Sequence, residues 1–121
     1  MSVLIPRPKI QLTVDLKRKI FIGIDRIIML EASGNYTLIH LKDGSNPLFA
    51  KCINTFEEEL NAQGFLRVHK SYIINPKYVV KYISKDNTII MDNNLYAPIA
   101  RRKMNMIKSS SIRKIVGKYI K

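Results

Sequence analysis

Short runs of β-branched and aromatic residues, each ended by turn-forming residues, recur along most of this sequence. In residues 10–17 every second residue is apolar, and residues 20–24, 27–32 and 36–41 are short apolar runs rich in isoleucine and leucine. Such alternation is typical of a strand with one buried face, whereas an amphipathic helix needs a period of about 3.6. Residues 10–50 are therefore predicted to form strands, which excludes a helix-turn-helix fold.

Turn signals place the hairpins between these strands. Residues 25–26 form a corner, residues 33–35 join two strands, and residues 42–47 combine Asp-Gly with Asn-Pro before a return strand at residues 48–50. Pro76 interrupts the ladder in the second half. The strands predicted there are residues 65–69, 72–75, 79–83, 88–91 and 95–99, the last three as a meander.

One internal helix is predicted after Asn54. Thr55 and Glu58 have the spacing of a capping box, and Gly64 supplies a stop. The predicted buried stripe is Phe56, Leu60 and Ile53. The chain is thus predicted to be mainly β, with one short helix inserted midway.

A C-terminal helix is predicted from Ala100 or Arg101, with Met104 and Ile107 facing inward. After three serines, residues 112–120 have helical spacing among lysines, which predicts a further basic amphipathic helix.

The charge of the chain lies at its two ends. The 121 residues include 21 Lys and Arg against 9 Asp and Glu, a formal net charge of +12. Residues 1–19 hold five basic residues and one acidic residue, residues 20–100 hold eight of each, and residues 101–121 hold eight basic residues. A polyanion is the natural partner, since each phosphate that Lys or Arg neutralises releases counterions. An anionic lipid surface competes with it, and solubility alone is the plainest alternative.

Several classes of protein are excluded by composition. Apolar runs of four or five residues are too short for a membrane-spanning helix of about 18 or more, and no secretory signal is recognisable, so a cytoplasmic location is expected. A single cysteine, Cys52, makes no internal disulfide, and His40 and His69 have no zinc-site spacing. No set of catalytic side chains is recognisable, so neither enzyme activity nor a cofactor is expected.

Three segments carry the strongest motif signal: residues 30–36 (LEASGNY), 65–75 (FLRVHKSYIIN) and 98–103 (PIARRK). In this order they resemble the LytTR family, the DNA-binding domain of many bacterial response regulators, over about residues 20–107. The resemblance implies small antiparallel sheets with one short inserted helix and a C-terminal helix, in which loops on one edge enter successive major grooves of DNA.

The resemblance also implies which residues contact DNA. The candidates for reading bases are Asn35, Tyr36, Lys70 and Arg101, with His69 ranked below Lys70. The candidates for contacting phosphates are Arg102, Lys103, Lys51 and Lys77. Contacts of the first kind carry sequence information, and contacts of the second kind fix position.

Each of the leading candidates has a structural alternative. Tyr36 opens a strand and can simply pack, Asn35 can serve a left-handed turn, and a lone histidine such as His69 is more often structural. Arg101 and Arg102 can simply be solvent-exposed at the start of a helix, although cations are unfavourable there without a nearby anion.

Two positions depart from the family pattern. In the family, arginine often follows the histidine, whereas this chain has Lys70 at that position. Lysine lacks the planar guanidinium that donates two hydrogen bonds to guanine. Serine commonly precedes the paired arginines, and Ala100 removes that cap or phosphate hydroxyl. A weaker base preference at Lys70 and a modest loss at Ala100 are expected.

The predicted organisation has three parts: a basic N-terminal segment with a first strand at residues 1–19, the DNA-binding domain at residues 20–108, and a basic, helical tail at residues 109–121. The family domain usually follows a phosphorylatable receiver domain of a two-component system, for which residues 1–19 leave no room. Either the protein acts alone, or the chain is a fragment of a longer regulator with a receiver or sensor partner.

The predicted function is sequence-specific binding of double-stranded DNA by a transcriptional regulator, on direct repeats with a second copy alongside and some bending of the duplex. Two other functions fit the charge. An RNA-binding module typically exposes aromatic side chains for stacking, and this chain has no Trp. A module that binds anionic membranes through residues 112–120 has the two-faced spacing but few large aromatics.

Overall fold

The computed structural model describes residues 10–104, which form ten strands and one α-helix. The strands are β1 (Gln11–Asp15), β2 (Ile20–Gly23), β3 (Ile27–Ser33), β4 (Tyr36–Leu41), β5 (Leu48–Phe49), β6 (Leu66–His69), β7 (Tyr72–Ile74), β8 (Val79–Ile83), β9 (Thr88–Met91) and β10 (Tyr96–Pro98). Helix α1 (Asn54–Ala62) lies between β5 and β6. The mainly β fold with one inserted helix is confirmed.

The strands form three small antiparallel sheets. The central sheet has five strands in the order β5-β4-β3-β7-β6, β1 pairs with β2, and the meander forms a sheet in the order β10-β9-β8. Strands β3 and β4 are joined by the hairpin turn that the sequence predicts at residues 33–35. Strand β3 therefore lies in the middle, with hydrogen-bonded neighbours on both sides.

Both faces of β3 are covered. Leu30 faces a core that includes Phe56 and Leu60 of α1, while Met29 faces a second core that includes Ile89 and Met91 of β9. Each of these side chains is at most 1% exposed, and full burial of one such side chain is worth about 1.5–3 kcal/mol. The central sheet is thus held between α1 with the β1-β2 hairpin on one side and the three-stranded sheet on the other.

The helix begins differently from the capping-box prediction, which is wrong. Ile53 is the N-cap residue and makes no side-chain cap hydrogen bond, and Thr55 lies inside the first turn, where its hydroxyl is 3.7 Å from Cys52 Sγ. Burial of Ile53, which is 4% exposed, sets the start of the helix instead of a polar cap. The predicted stop is confirmed, because Gly64 has a φ of +89° and needs no Cβ there.

The C-terminal helix is described only at its start. Arg101–Lys103 forms a 3₁₀ turn, and Met104 packs against the second core as predicted. The remainder of that helix, with Ile107, and the further helix predicted at residues 112–120 lie outside the described residues.

Asn75 ties the end of β7 to β3 through its buried amide. Its Nδ2 donates to the carbonyl of Ile27 over 2.9 Å, and its Oδ1 accepts the backbone N–H of Lys77 over 3.1 Å. The proline at position 76 begins a 3₁₀ turn here. The side chain of Asn75 therefore supplies hydrogen bonds where the ladder ends.

We expect Asn75→Ala to lower the free energy of unfolding by about 1–3 kcal/mol, because the buried carbonyl of Ile27 loses its donor. Asn46→Ala, at an exposed turn residue, is the control and should change stability by less than about 0.5 kcal/mol. Urea denaturation of both variants is the measurement. Equal losses in the two would contradict the role given to Asn75.

Candidate nucleic-acid interface

The three sequence motifs meet at one end of the central sheet. Strands β3 and β6 run toward this end, and β4 and β7 return from it, so the turns at residues 34–35 and 70–71 lie there together. The N–H of Ala32 donates to the carbonyl of Ser71 over 2.8 Å and joins the first motif to the second. We call residues 34–36, 50–51, 69–71 and 100–103 the loop end of the sheet.

The third motif is docked beside β6. The N–H of Ala100 donates to the carbonyl of Val68 over 2.8 Å. This contact brings the basic 3₁₀ turn next to the second motif, and a concavity of about 280 Å³ lies between them. Its lining includes His69, Lys70, Arg102 and Lys103. Arg101 is exposed on the same turn.

Lys51 reaches the loop end through β5, which runs antiparallel to β4. The hydroxyl of the buried Thr37 donates to the carbonyl of Lys51 over 2.7 Å. The backbone around Lys51 is therefore fixed to the strand that begins at Tyr36, and the Lys51 side chain is half-buried.

Asn35 does not take the left-handed position of the first-motif turn, and Tyr36 is only partly packed. Gly34 takes the left-handed conformation of the turn, with a φ of +63°, and Asn35 is not among the described residues with positive φ. Tyr36 is 48% exposed and thus does not fill the core. Both side chains are available at the surface of the loop end.

His69 has one ring nitrogen engaged within the turn. The N–H of Ser71 donates to His69 Nδ1 over 3.0 Å, and the ring packs edge-on against Tyr72 with centroids 5.5 Å apart. Because Nδ1 accepts a hydrogen bond, the neutral imidazole carries its proton on Nε2. The half-buried His69 is therefore a hydrogen-bond donor fixed in orientation.

Charges are arranged differently at the two ends of the sheet. Within the described part of the chain, no ion pair involves Lys70, Arg101 or Arg102. At the opposite end, Arg26 lies 3.3 Å from Asp43, and Lys42 pairs with Asp92.

The ion pair between Lys42 and Asp92 also shifts the pKa values of both side chains. The hydrogen bond between them raises the pKa of Lys42 and lowers the pKa of Asp92 below its ordinary value. Both shifts favour the charged forms, so the positive charge of Lys42 has a carboxylate partner.

Lys77 is not brought together with the other candidates. It lies in the 3₁₀ turn after β7, where the N–H of Asn75 donates to the carbonyl of Ile28 and the hydroxyl of Tyr78 donates to the carbonyl of Asp25. These contacts place it beside the start of β3, at the opposite end from Lys70. The reason is the direction of β7, which carries the chain away from the loop end.

Arg67 was given no role by the sequence analysis. Its guanidinium contacts Asn54 and Glu57 of α1 as well as the carbonyls of His69 and Lys70. The sequence does place Arg67, a charged residue, inside a predicted strand of the second motif. That position indicates that the charge has a partner, but it does not identify the partner.

Exposed aromatic residues are few in the described part. Phe21, Tyr36 and Tyr96 are 43%, 48% and 62% exposed, and they lie on different strands, β2, β4 and β10. No helix among residues 10–104 is long and apolar enough to cross a membrane.

Comparison with known proteins identifies the family and the fold. The LytTr DNA-binding domain family matches residues 17–111. A solved LytTr DNA-binding domain from Bacillus cereus superposes with a TM-score of 0.66 at 18% identity, covering 84% of this chain and 94% of that chain.

Two curated relatives from Paraburkholderia xenovorans are heme-containing CO-sensing transcriptional regulators, RcoM 2 and RcoM 1. They are 27% and 26% identical over 111 and 110 residues, which cover 86% and 85% of this chain. The chain spans 41% of the length of each relative.

We expect Thr37→Val to lower the free energy of unfolding by about 1–3 kcal/mol, because the carbonyl of Lys51 loses its buried donor while the side-chain volume is kept. Thr88→Val is the matched control, since that hydroxyl donates to Asp86 in an exposed turn over 3.0 Å, and it should cost less than about 1 kcal/mol. Urea denaturation distinguishes the two. A smaller loss for Thr37→Val than for Thr88→Val would show that the contact does not hold the Lys51 segment.

Proposed function

The chain belongs to the LytTr DNA-binding domain family, and on this premise we propose that it is the DNA-reading part of a bacterial transcriptional regulator. It binds double-stranded DNA sequence-specifically through the loop end of its central sheet. Binding to chromosomal DNA places it in the cytoplasm.

The observation that carries the proposal is the grouping of cations on adjacent loops. Lys70, Arg101 and Arg102 are exposed within one end of the molecule, and the lysines at 51 and 103 flank them. Phosphates supply most of the sequence-independent affinity for such a surface, and base edges in the major groove supply discrimination. A rim of loops offers both kinds of contact at once.

Roles follow from exposure and side-chain chemistry. Arg101 offers a planar fork for guanine, Asn35 offers an amide that pairs with adenine, and Lys70 donates to guanine as a single ammonium. Tyr36 and the Nε2–H of His69 supply further donors on neighbouring loops. The proposed phosphate contacts are Arg102, Lys103 and Lys51. Lys77 lies outside this interface because it is at the opposite end of the sheet.

Partners are proposed from the family and the relatives. The domain binds direct repeats, with a second copy beside the first and some bending of the duplex. The curated relatives are more than twice as long as this chain, so a receiver or sensor unit that controls the domain is part of the proposal.

Base reading at the loop end is tested with a site selected from a random duplex pool. We expect Arg101→Ala and Lys70→Ala each to weaken binding to that site by about 1–3 kcal/mol and to relax preference at one base pair. Lys77→Ala, a lysine at the opposite end, is the control and should leave preference unchanged. Fluorescence anisotropy with the selected and scrambled duplexes is the measurement.

Either of two results contradicts the proposal. One is unchanged preference in both Arg101→Ala and Lys70→Ala. The other is a loss for Lys77→Ala as large as theirs, which would place the interface at the other end of the sheet.

Binding to direct repeats is tested by spacing. Two copies of the selected site about 10.5 base pairs apart present the same face of the duplex, and we expect two domains to bind side by side with cooperativity. An insertion of about 5 base pairs turns the second site by half a turn and should remove the cooperativity while each site still binds. Identical titration curves for the two duplexes would show that the copies bind independently.

A further inference from the structure

The turn that carries His69 and Lys70 is not held by the regular ladder of the sheet. Between β6 and β7 the register shifts, so that Arg67 pairs with Ile73 but His69 pairs with Tyr72. The strand therefore contains one extra residue, a β-bulge. Bulges bend a strand and re-aim its side chains, and they leave the local ladder incomplete. Another set of contacts must fix the turn.

Arg67 supplies these contacts. Its Nε donates to the carbonyl of His69 over 2.9 Å, and its Nη2 donates to the carbonyl of Lys70. On the other side, Nη1 donates to Asn54 Oδ1 over 2.9 Å and to Glu57 Oε1 over 2.6 Å. One planar guanidinium thus joins two consecutive carbonyls of the turn to the first turn of α1.

The same guanidinium has little capacity left for DNA. A guanidinium has about five N–H donors, and four donations within the protein are described for Arg67. Its side chain is 12% exposed, and its charge is paired with Glu57. A phosphate contact at Arg67 would require these bonds to open.

We propose that Arg67 is a positioning residue for DNA recognition: it fixes the bulged turn to α1 so that Lys70 is presented to the base edges in one orientation. This inference rests on the proposed function of the loop end. Arg67 acts through Lys70 and makes no contact with the duplex. Lysine cannot replace it, because one ammonium cannot reach carbonyls and carboxylate on both elements in the planar arrangement.

The test compares Arg67→Met and Arg67→Lys with Arg26→Met. Arg26 is also paired with a carboxylate, Asp43, but it lies at the opposite end of the sheet. Arg67→Met keeps the aliphatic stem of the side chain and removes every hydrogen-bond donor. Arg67→Lys keeps the positive charge, and it serves as the test variant if Arg67→Met does not fold. Thermal unfolding of each variant separates a loss of stability from a loss of recognition.

Two readouts are measured on the folded variants. The first is the ¹⁵N relaxation of the amides of residues 69–71 in the free domain, which should show new motion in both Arg67 variants and none in Arg26→Met. The second is the ratio of affinities for the selected and the scrambled duplex, which should fall about tenfold in Arg67→Met. The slope of affinity against salt should not fall by the roughly 0.9 per contact that a lost phosphate contact gives.

A double-mutant cycle with Lys70→Ala separates positioning from general support. If Arg67 acts through Lys70, Arg67→Met should reduce the ratio of affinities for the selected and the scrambled duplex about tenfold in the native background. In the Lys70→Ala background the same substitution should reduce that ratio less than about twofold. Additive losses, an unchanged turn or a reduced salt slope would each overturn the inference. If Lys70→Ala itself leaves discrimination unchanged, the assignment of Lys70 under the proposed function fails as well, and that result is visible before Arg67 is altered.

Discussion

Strand β3 is buried on both faces, and this burial fixes how the strands of the central sheet pair. Leu30 and Met29 point into different cores, so a slip of one residue in the register of β3 would exchange the two sets of side chains. With that register fixed, the pairings with β4 and β7 bring the turns at residues 34–35 and 70–71 to the same end. Core packing thus brings the loops of the loop end together, and the hydrogen bonds of Arg67 join the turn at residues 69–71 to α1.

The two ends of the sheet differ in the state of their charges more than in their number. At the opposite end Arg26 and Lys42 are paired with Asp43 and Asp92, although Lys77 there is exposed and in none of the ion pairs of the described residues. At the loop end Lys70 and Arg101 are exposed. A cation that already has a carboxylate partner gains less from a phosphate, because the earlier pair must be given up. Under the proposed interface, the pairing of Arg26 and Lys42 reduces the competition of the opposite end for a polyanion.

The sequence predicts the elements well because alternation and glycine placement act locally, as at β4, which spans Tyr36–Leu41, and at Gly64. It does not predict which strands pair, since β3 meets β7 some forty residues later along the chain. Lys77 was predicted to contact phosphates together with Lys51, Arg102 and Lys103. Strand β7, which rises about 3.3 Å per residue, carries the chain away from Lys70 to the opposite end before Lys77 is reached. The role proposed for Arg67 depends on the β-bulge between β6 and β7, which no residue pattern in the sequence predicts.

We infer that DNA contacts the loop end, and amide chemical shifts measured during titration with the selected duplex show where the contact lies. We expect the largest changes at residues 34–36, 69–71 and 100–103, with the amides of residues 25–26, 42–46 and 76–78 nearly unmoved. The largest changes at this second set, or changes of similar size at both ends, would contradict it.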